Sequence, residues 1–329
     1  MKVFVADKFE KAGLDGLKAL GCEVLNDPNA GATGLAGLVA THDPEVLIVR
    51  STKVQAPVFE GAKKLKLIVR AGSGVDNIDV PAASKHGVAV CNCPGMNAVA
   101  VAELTMALIL CCDRRVADQC SSAKAGKWNK KEFAKAKGLK GLTLGVAGTG
   151  AIGKEVIKRA KAFGMNVVAW SDHLTPAAAQ EIGCEFGGTQ PAHLIDFAKR
   201  CDVVSVHIPL VEGTKKLFGK QFFDAMKPGS YFINTSRGGV VDEAALREAV
   251  KSKNLRVGLD VYDPQPTDTE SAWQCETANL AGVYTTHHCG ASTDQAQMAV
   301  ADEAVRIVKV FKAEGRAENC VNAEAVKGR

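Results

Sequence analysis

The chain has 329 residues, 47% of them hydrophobic and 23% charged, with 32 glycines spread along it. That length implies two domains with a core each, and the composition excludes a disordered or low-complexity protein. The formal charge of +5 is modest, and the seven lysines from Lys124 to Lys140 have no aromatic ladder beside them, so they read as a solvated face and not as a nucleic-acid surface.

In chain order, β-rich runs fall at Lys2 to Ala6, Val46 to Val49, Leu67 to Val69 and Val88 to Cys91, separated by helical stretches such as Lys8 to Leu20. Strands that lack polar alternation and are joined by helices belong to a parallel sheet covered on both faces. A long helix is expected over Asn97 to Gln119. A second series follows, with strands at Thr143 to Ala147, Val167 to Trp170, Val203 to His207, Tyr231 to Asn234 and Val257 to Leu259. The fold class is therefore α/β, as two doubly wound parallel-sheet domains in tandem. A last helix over Ser292 to Lys312 takes Ser292 as its N-cap and places Met298, Val305 and Val308 on one stripe.

Eleven cysteines would suggest disulfides in a short secreted domain, but the opening MKVFVADKFE has no apolar signal core. Reduced thiols and a cytoplasmic location are expected. Cys91 with Cys93, and Cys111 with Cys112, lack a second pair at zinc-ribbon spacing, so no metal is expected. The apolar run from Ala98 to Cys112 is interrupted by Glu103 and reads as a buried helix, with no membrane partner.

Gly148-Thr-Gly150-Ala151-Ile152-Gly153 is a G-x-G-x-x-G that follows an apolar strand and opens the helical stretch Ala151 to Phe163. Strand, loop and helix in that order are what dinucleotide binding requires. Gly148 permits the tight turn, Gly150 lets backbone approach a pyrophosphate, and Gly153 lets the helix pack close to the strand. The helix N-terminus at Ala151 and Ile152 offers N–H groups to the phosphates. At the end of the next strand Ser171 occupies the place of the usual ribose-binding acid, and Asp172 follows, either as its substitute or as a solvated turn residue. No arginine is placed to neutralise a 2′-phosphate, so NAD is favoured over NADP.

Two further residues suit hydride transfer to and from a small 2-hydroxy or 2-oxo acid. Arg237 lies just beyond a strand and between small residues, where a guanidinium can grip a carboxylate with two parallel hydrogen bonds. His288 follows a short strand, and an unperturbed imidazole titrates at about 6.5, within the reach of neutral pH that an acid/base group needs. On local features alone His287 is its rival, and either could be a structural histidine.

These residues sit in blocks that give the chain a resemblance to the D-isomer-specific 2-hydroxyacid dehydrogenase family. The blocks are Arg70 to Asp79 (RAGSGVDNID), the glycine turn at 148–153, Met226 to Gly239 (MKPGSYFINTSRGG) and His288 to Thr293 (HCGAST). The resemblance implies a flavodoxin-like substrate domain made of residues 1–96 and 287–329. A Rossmann NAD-binding domain over 97–286 would also form a homodimer, with the active site in the cleft between the domains. It makes Arg237 the carboxylate-binding arginine and His288, not His287, the acid/base histidine. It further implies cofactor contacts at Ile208, Pro209, Thr235, Ser236, Asp260, Gly290 and Ala291. Gln265 stands where the family usually has a glutamate beside the histidine, with Asp263 as a stand-in two residues earlier.

Within the family, the segments Val49 to Val54, Arg70 to Gly74 and Gly126 to Lys131, together with Asn97, are most similar to the members that oxidise 3-phosphoglycerate to 3-phosphohydroxypyruvate, the first step of serine biosynthesis. That resemblance implies a small anionic substrate whose phosphate faces Arg50, Lys53 and Arg70, with Ser73, Gly74 and Asn97 nearby. Because the chain stops at Arg329, no regulatory domain and no serine feedback are expected. A hydroxypyruvate or glyoxylate reductase is the enzymatic alternative. A non-catalytic NAD-binding regulator is the alternative of another class, motivated by Gln265.

Overall fold

A computed structural model describes residues 1–266 and 270–326. The chain forms two compact units, Met1–Asn97 together with the segment from Ser292 onward, and Ala98–Ala291. In the first, β1 (Lys2–Val5), β2 (Glu23–Asn26), β3 (Val46–Val49), β4 (Leu67–Arg70) and β5 (Ala89–Asn92) form one parallel sheet in the order β2-β1-β3-β4-β5. Successive side chains of a strand point to opposite faces. Phe4, Leu47, Val49, Ile68 and Val90 accordingly pack on one face, and Val3, Val5, Ile48, Val69 and Cys91 on the other. The second face is covered in part by Ile307 and Val308 of the Asp294–Glu314 helix. Apolar residues on both faces are why these strands carry no polar alternation.

The second unit holds β6 (Thr143–Ala147), β7 (Asn166–Trp170), β8 (Glu185–Phe186), β9 (Val203–Val206), β10 (Tyr231–Asn234), β11 (Arg256–Leu259) and β12 (Val283–Thr285). They form a parallel sheet in the order β12-β11-β10-β9-β6-β7-β8. In each sheet the strand order reverses once, between β1 and β3 in the first and between β6 and β9 in the second. Crevices at the carboxyl ends of such strand pairs are where open α/β sheets bind ligands.

Several boundaries differ from the sequence expectation. β2 is an edge strand with partly exposed residues and β8 has two residues, so neither shows an apolar run. The helix expected over Asn97 to Gln119 is two helices, Ala98–Arg114 and Val116–Lys124, broken at Arg115 with φ +52°. No glycine or proline marks the break. Arg115 there binds Asp118 through Nε at 2.9 Å and also meets Glu132, so its ion pairs favour the kink. The last helix takes Thr293, not Ser292, as N-cap, with Thr293 Oγ1 accepting from Ala296 N at 3.2 Å. Residues 287–291 fall in the second unit, because Asp260 and Gln265 bind them to it. Among the described residues no helix is long and apolar enough to cross a membrane.

Candidate active site

The glycine turn lies at the reversal between β6 and β9. Gly148 N donates to Trp170 O at 2.7 Å, and φ at Gly148 is +101°. A Cβ on Gly148 would lie 2.4 Å from His207 O, and one on Gly153 only 2.0 Å from Gly148 O. Both glycines are therefore demanded by close packing inside the protein. Gly150 differs, since a Cβ there would meet nothing within 4 Å among the described residues. The open space beside Gly150, at the N-terminus of the Ala151–Ala162 helix with its unsatisfied N–H groups, fits the pyrophosphate of a dinucleotide.

His207, just after β9, was not anticipated from sequence. Its Nε2 lies 2.8 Å from Ser205 Oγ, and burial pushes its pKa down to about 3, so it is neutral at physiological pH. No local sequence signal marks it, because its place at the strand-order reversal appears only in the fold. Ile208, which follows, is buried, and Pro209 is exposed. At the end of β7, Ser171 Oγ lies 3.3 Å from Asp172 Oδ1, and the exposed Asp172 carboxylate lies 3.5 Å from His173 Nε2.

Beyond β10, Asn234 builds the turn that presents Arg237. Its Oδ1 accepts from Ser236 N at 3.0 Å and from Ser236 Oγ at 2.8 Å, and its Nδ2 donates to Arg237 O at 2.8 Å. Thr235 Oγ1 meets Thr105 Oγ1 at 2.9 Å. A Cβ on Gly238 would sit 2.0 Å from the Tyr262 carbonyl carbon, so the backbone after β11 packs directly on this turn. Arg237 Nη1 donates to Ser236 O at 2.8 Å.

His288 has a left-handed backbone, φ +53°, a conformation that residues other than glycine seldom adopt. The buried Asp260 carboxylate surrounds the turn: Oδ1 accepts from Thr286 Oγ1 at 2.6 Å and Cys289 N at 2.9 Å, and Oδ2 from Gly290 N at 2.9 Å. Tyr262 Oη donates to Thr286 O at 2.6 Å. Gln265 Nε2 lies 2.7 Å from His288 Nδ1. With the amide turned this way its N–H donates to Nδ1, an arrangement that goes with the imidazole proton on Nε2. Rotation of the amide by half a turn presents Oε1 and holds the other tautomer. His287 is exposed on the same turn.

In the first unit, Arg50 directly follows β3 and Arg70 ends β4, with Val49 paired to Arg70. The Arg70 guanidinium folds back over Gly72, where a Cβ would lie 1.6 Å from Nη1 and where φ is +151°. Arg50 Nη1 donates to Gln297 Oε1 at 2.9 Å. Asp7, just beyond β1, organises the Arg50 loop and also escaped sequence reading. It accepts from the backbone N–H groups of Arg50 at 2.6 Å, Ser51 at 3.2 Å and Thr52 at 3.1 Å, and from both hydroxyls of Ser51 and Thr52 at 3.1 Å. Lys53 is exposed in that loop. Ser73 Oγ donates to Asn97 Oδ1 at 2.9 Å, and Gly74, half-buried, follows Ser73.

Residues 106–290 match the model of the D-isomer specific 2-hydroxyacid dehydrogenase NAD-binding domain. The chain belongs to the D-isomer specific 2-hydroxyacid dehydrogenase family. A Methanocaldococcus jannaschii relative named D-3-phosphoglycerate dehydrogenase is 40% identical over 329 residues, which takes in 98% of this chain and 59% of the relative. The chain thus spans about three fifths of the length of that relative and of a second of the same name from Archaeoglobus fulgidus. A Thermotoga maritima relative named hydroxypyruvate reductase is 43% identical over 271 residues, 82% of this chain and 84% of the relative. Among solved structures, the TT0316 protein of Thermus thermophilus is 34% identical with a TM-score of 0.85, covering 98% of this chain and 100% of that one.

Within this family member, the residues matched by the NAD-binding model include the glycine turn, Arg237, Gln265, His288 and Gly290. Asp7, Arg50, Arg70 and Ser73 lie outside that match, as does Ala291, which immediately follows it.

Proposed function

We propose that the chain is an NAD-dependent dehydrogenase that interconverts 3-phosphoglycerate and 3-phosphohydroxypyruvate. The contact of Gln265 with His288, on a turn fixed by Asp260, is the observation that carries the acid/base part of this reading. The backbone N–H groups of Ala151 and Ile152 hold the pyrophosphate beside Gly150, and Ser171 or Asp172 takes the ribose. NAD, when bound, supplies the hydride acceptor. Ile208, Pro209, Thr235, Ser236, Asp260, Gly290 and Ala291 complete its surroundings, Asp260 chiefly by holding the 286–290 loop. The absence of an arginine after Asp172 supports NAD over NADP.

Arg237 binds the substrate carboxylate with the paired N–H groups that suit planar anions. During oxidation His288 Nε2 takes the hydroxyl proton, which requires Gln265 to turn its carbonyl to Nδ1–H. In reduction the proton returns from Nε2 to the carbonyl oxygen. Arg50, Lys53 and Arg70 bind the phosphate, with Ser73, Gly74 and Asn97 shaping the adjoining loop. The pairing of Val49 with Arg70, which puts two arginines at the carboxyl ends of neighbouring parallel strands, supports this assignment. A homodimer formed through the NAD-binding domain and a cytoplasmic location belong to the same reading.

Hydroxypyruvate or glyoxylate reduction is the second reading, favoured by the Thermotoga maritima relative, which matches over 84% of its own length. NADH oxidation with 3-phosphohydroxypyruvate, hydroxypyruvate, glyoxylate and 2-oxoglutarate separates the two. The expected kcat/KM for the phosphorylated substrate exceeds the others by about tenfold or more, a difference of roughly 1.4 kcal/mol at the transition state. Equal or better use of hydroxypyruvate would replace the first reading with the second.

A further inference from the structure

All eleven cysteines are free thiols, and two of them meet across a β-bridge. The segment following the last long helix runs antiparallel to β5, an edge strand of the first sheet, and Cys91 is bridged to Cys320. Val321 N donates to Val90 O at 2.8 Å, and Asn92 N donates to Asn319 O at 3.3 Å. Those two bonds flank the cysteines, which are therefore a directly opposite pair without hydrogen bonds between their own backbones. In such a pair the Cα atoms stand about 4.5 Å apart and the side chains leave the ladder on one face. A disulfide spans Cα separations of about 4.4 to 6.8 Å. Both side chains also belong to one core cluster.

The pairing is clamped from the next residue. Asn322 Oδ1 accepts from Val90 N at 2.8 Å, and its Nδ2 donates to Val88 O at 3.0 Å and to Ser84 Oγ at 2.9 Å. Cys320 Sγ donates to Asn322 Oδ1 at 3.2 Å. Cys320 is half-buried and open to small reagents, whereas Cys91 is fully buried. Burial first, and the neighbouring Cys320 second, push the Cys91 thiol well above its ordinary pKa, which makes Cys320 the thiol that reacts first.

We propose that Cys91 and Cys320 form a redox modification site, at which a low-molecular-weight disulfide oxidises the two thiols to a cross-strand disulfide. The Cys320 thiolate attacks one sulfur of the small disulfide, forming a mixed disulfide and expelling one small thiolate. That thiolate accepts the Cys91 proton, and Cys91 sulfur then attacks Cys320 Sγ, breaking the mixed bond and releasing the second small thiolate, which is protonated by water. The protein loses two electrons and the reagent is reduced to two thiols. The bond staples the 319–322 segment to the sheet edge and closes a covalent ring through residues 98–291, which lie between the two cysteines in sequence.

The test is a time course of the native full chain in oxidised glutathione, followed by alkylation of free thiols, digestion without reductant and mass spectrometry. A glutathione adduct on Cys320 is expected first, giving way to a linked pair of peptides carrying Cys91 and Cys320 that dithiothreitol separates. In Cys91→Ala the adduct should persist, and in Cys320→Ser neither species should form. The wild-type time course stands even if a variant folds poorly. The proposal is overturned if Cys320 links to Cys93, which lies on the same face, or if Cys111 and Cys120 react while Cys91 and Cys320 remain thiols. An adduct on Cys320 that never resolves in the wild-type chain would overturn it as well.

Discussion

Gln265 Nε2 and His288 Nδ1 lie 2.7 Å apart, so the histidine proposed as the acid/base group contacts a neutral amide where the sequence resemblance implies a carboxylate. An amide can present either a donor or an acceptor, and so stabilises either neutral tautomer. It supplies no negative charge to favour the imidazolium. Gln265→Glu should therefore raise the His288 pKa. The alkaline limb of the reduction profile should move up with it, since in the proposed role the protonated histidine is the proton donor. Single-turnover pH profiles of both proteins check this. An unmoved limb would mean that the contact does not govern the histidine.

Arg237→Lys replaces a planar fork with a point charge on a turn that Asn234 and Gly238 fix in place. NADH affinity, measured by fluorescence titration, should change little, while kcat/KM should fall by about a hundredfold, or roughly 2.7 kcal/mol. Near-normal turnover would remove Arg237 from its proposed role.

His207 stays neutral in the folded protein down to about pH 3, whereas an unfolded histidine protonates near pH 6.5. Among the described residues its Nδ1 has no hydrogen-bond partner, so an added proton would find no acceptor there. The unfolded state therefore binds more protons as pH falls from about 6.5 toward 3, and stability declines over that window. The slope from this one group is at most about 1.4 kcal/mol per pH unit, and less here because the residue is not wholly enclosed. His207→Gln should flatten the loss of Tm between pH 7 and pH 5. An unchanged slope would assign the acid sensitivity to other groups.

The central strands were legible because each is an apolar run buried on both faces, and the glycine turn because its three glycines stand at fixed spacing between an apolar strand and a helix, two of them answering close approaches of backbone. The edge strands β2 and β8 were not, since partly exposed residues leave no such run. Asp7 and His207 were invisible for a different reason. Each acts through a partner distant in sequence: Asp7 through the loop at Arg50–Thr52, and His207 through the turn at Gly148. The break at Arg115 depends on ion pairs that a local reading does not weigh against helix propensity.

Asp7 accepts five hydrogen bonds from the loop that carries Arg50, three of them from backbone. Asp7→Asn keeps the shape but weakens these charge-assisted bonds and turns one acceptor into a donor facing N–H groups. The Michaelis constant for 3-phosphohydroxypyruvate should rise several-fold, with NADH affinity unchanged, and Tm should drop in keeping with a loss of about 1–3 kcal/mol. A variant with wild-type kinetics would show that the Arg50 loop needs no such anchor.

The glycine turn yields a paired prediction that separates folding from cofactor binding. A methyl on Gly153 would press on Gly148 O, a fixed backbone atom, so Gly153→Ala should displace the helix and lower both stability and NADH affinity. Gly150 has φ −65°, which alanine adopts without strain, and its Cβ would meet no atom of the described residues within 4 Å. Gly150→Ala should therefore fold with an unchanged Tm. If the space beside it is where the pyrophosphate lies, however, the methyl should weaken NADH binding by about tenfold or more, equivalent to roughly 1.4 kcal/mol. Calorimetry and fluorescence titration on the two variants give the comparison. Full NADH affinity in Gly150→Ala would place the pyrophosphate elsewhere, and an equal loss of Tm in both variants would show that Gly150 serves the fold and not the ligand.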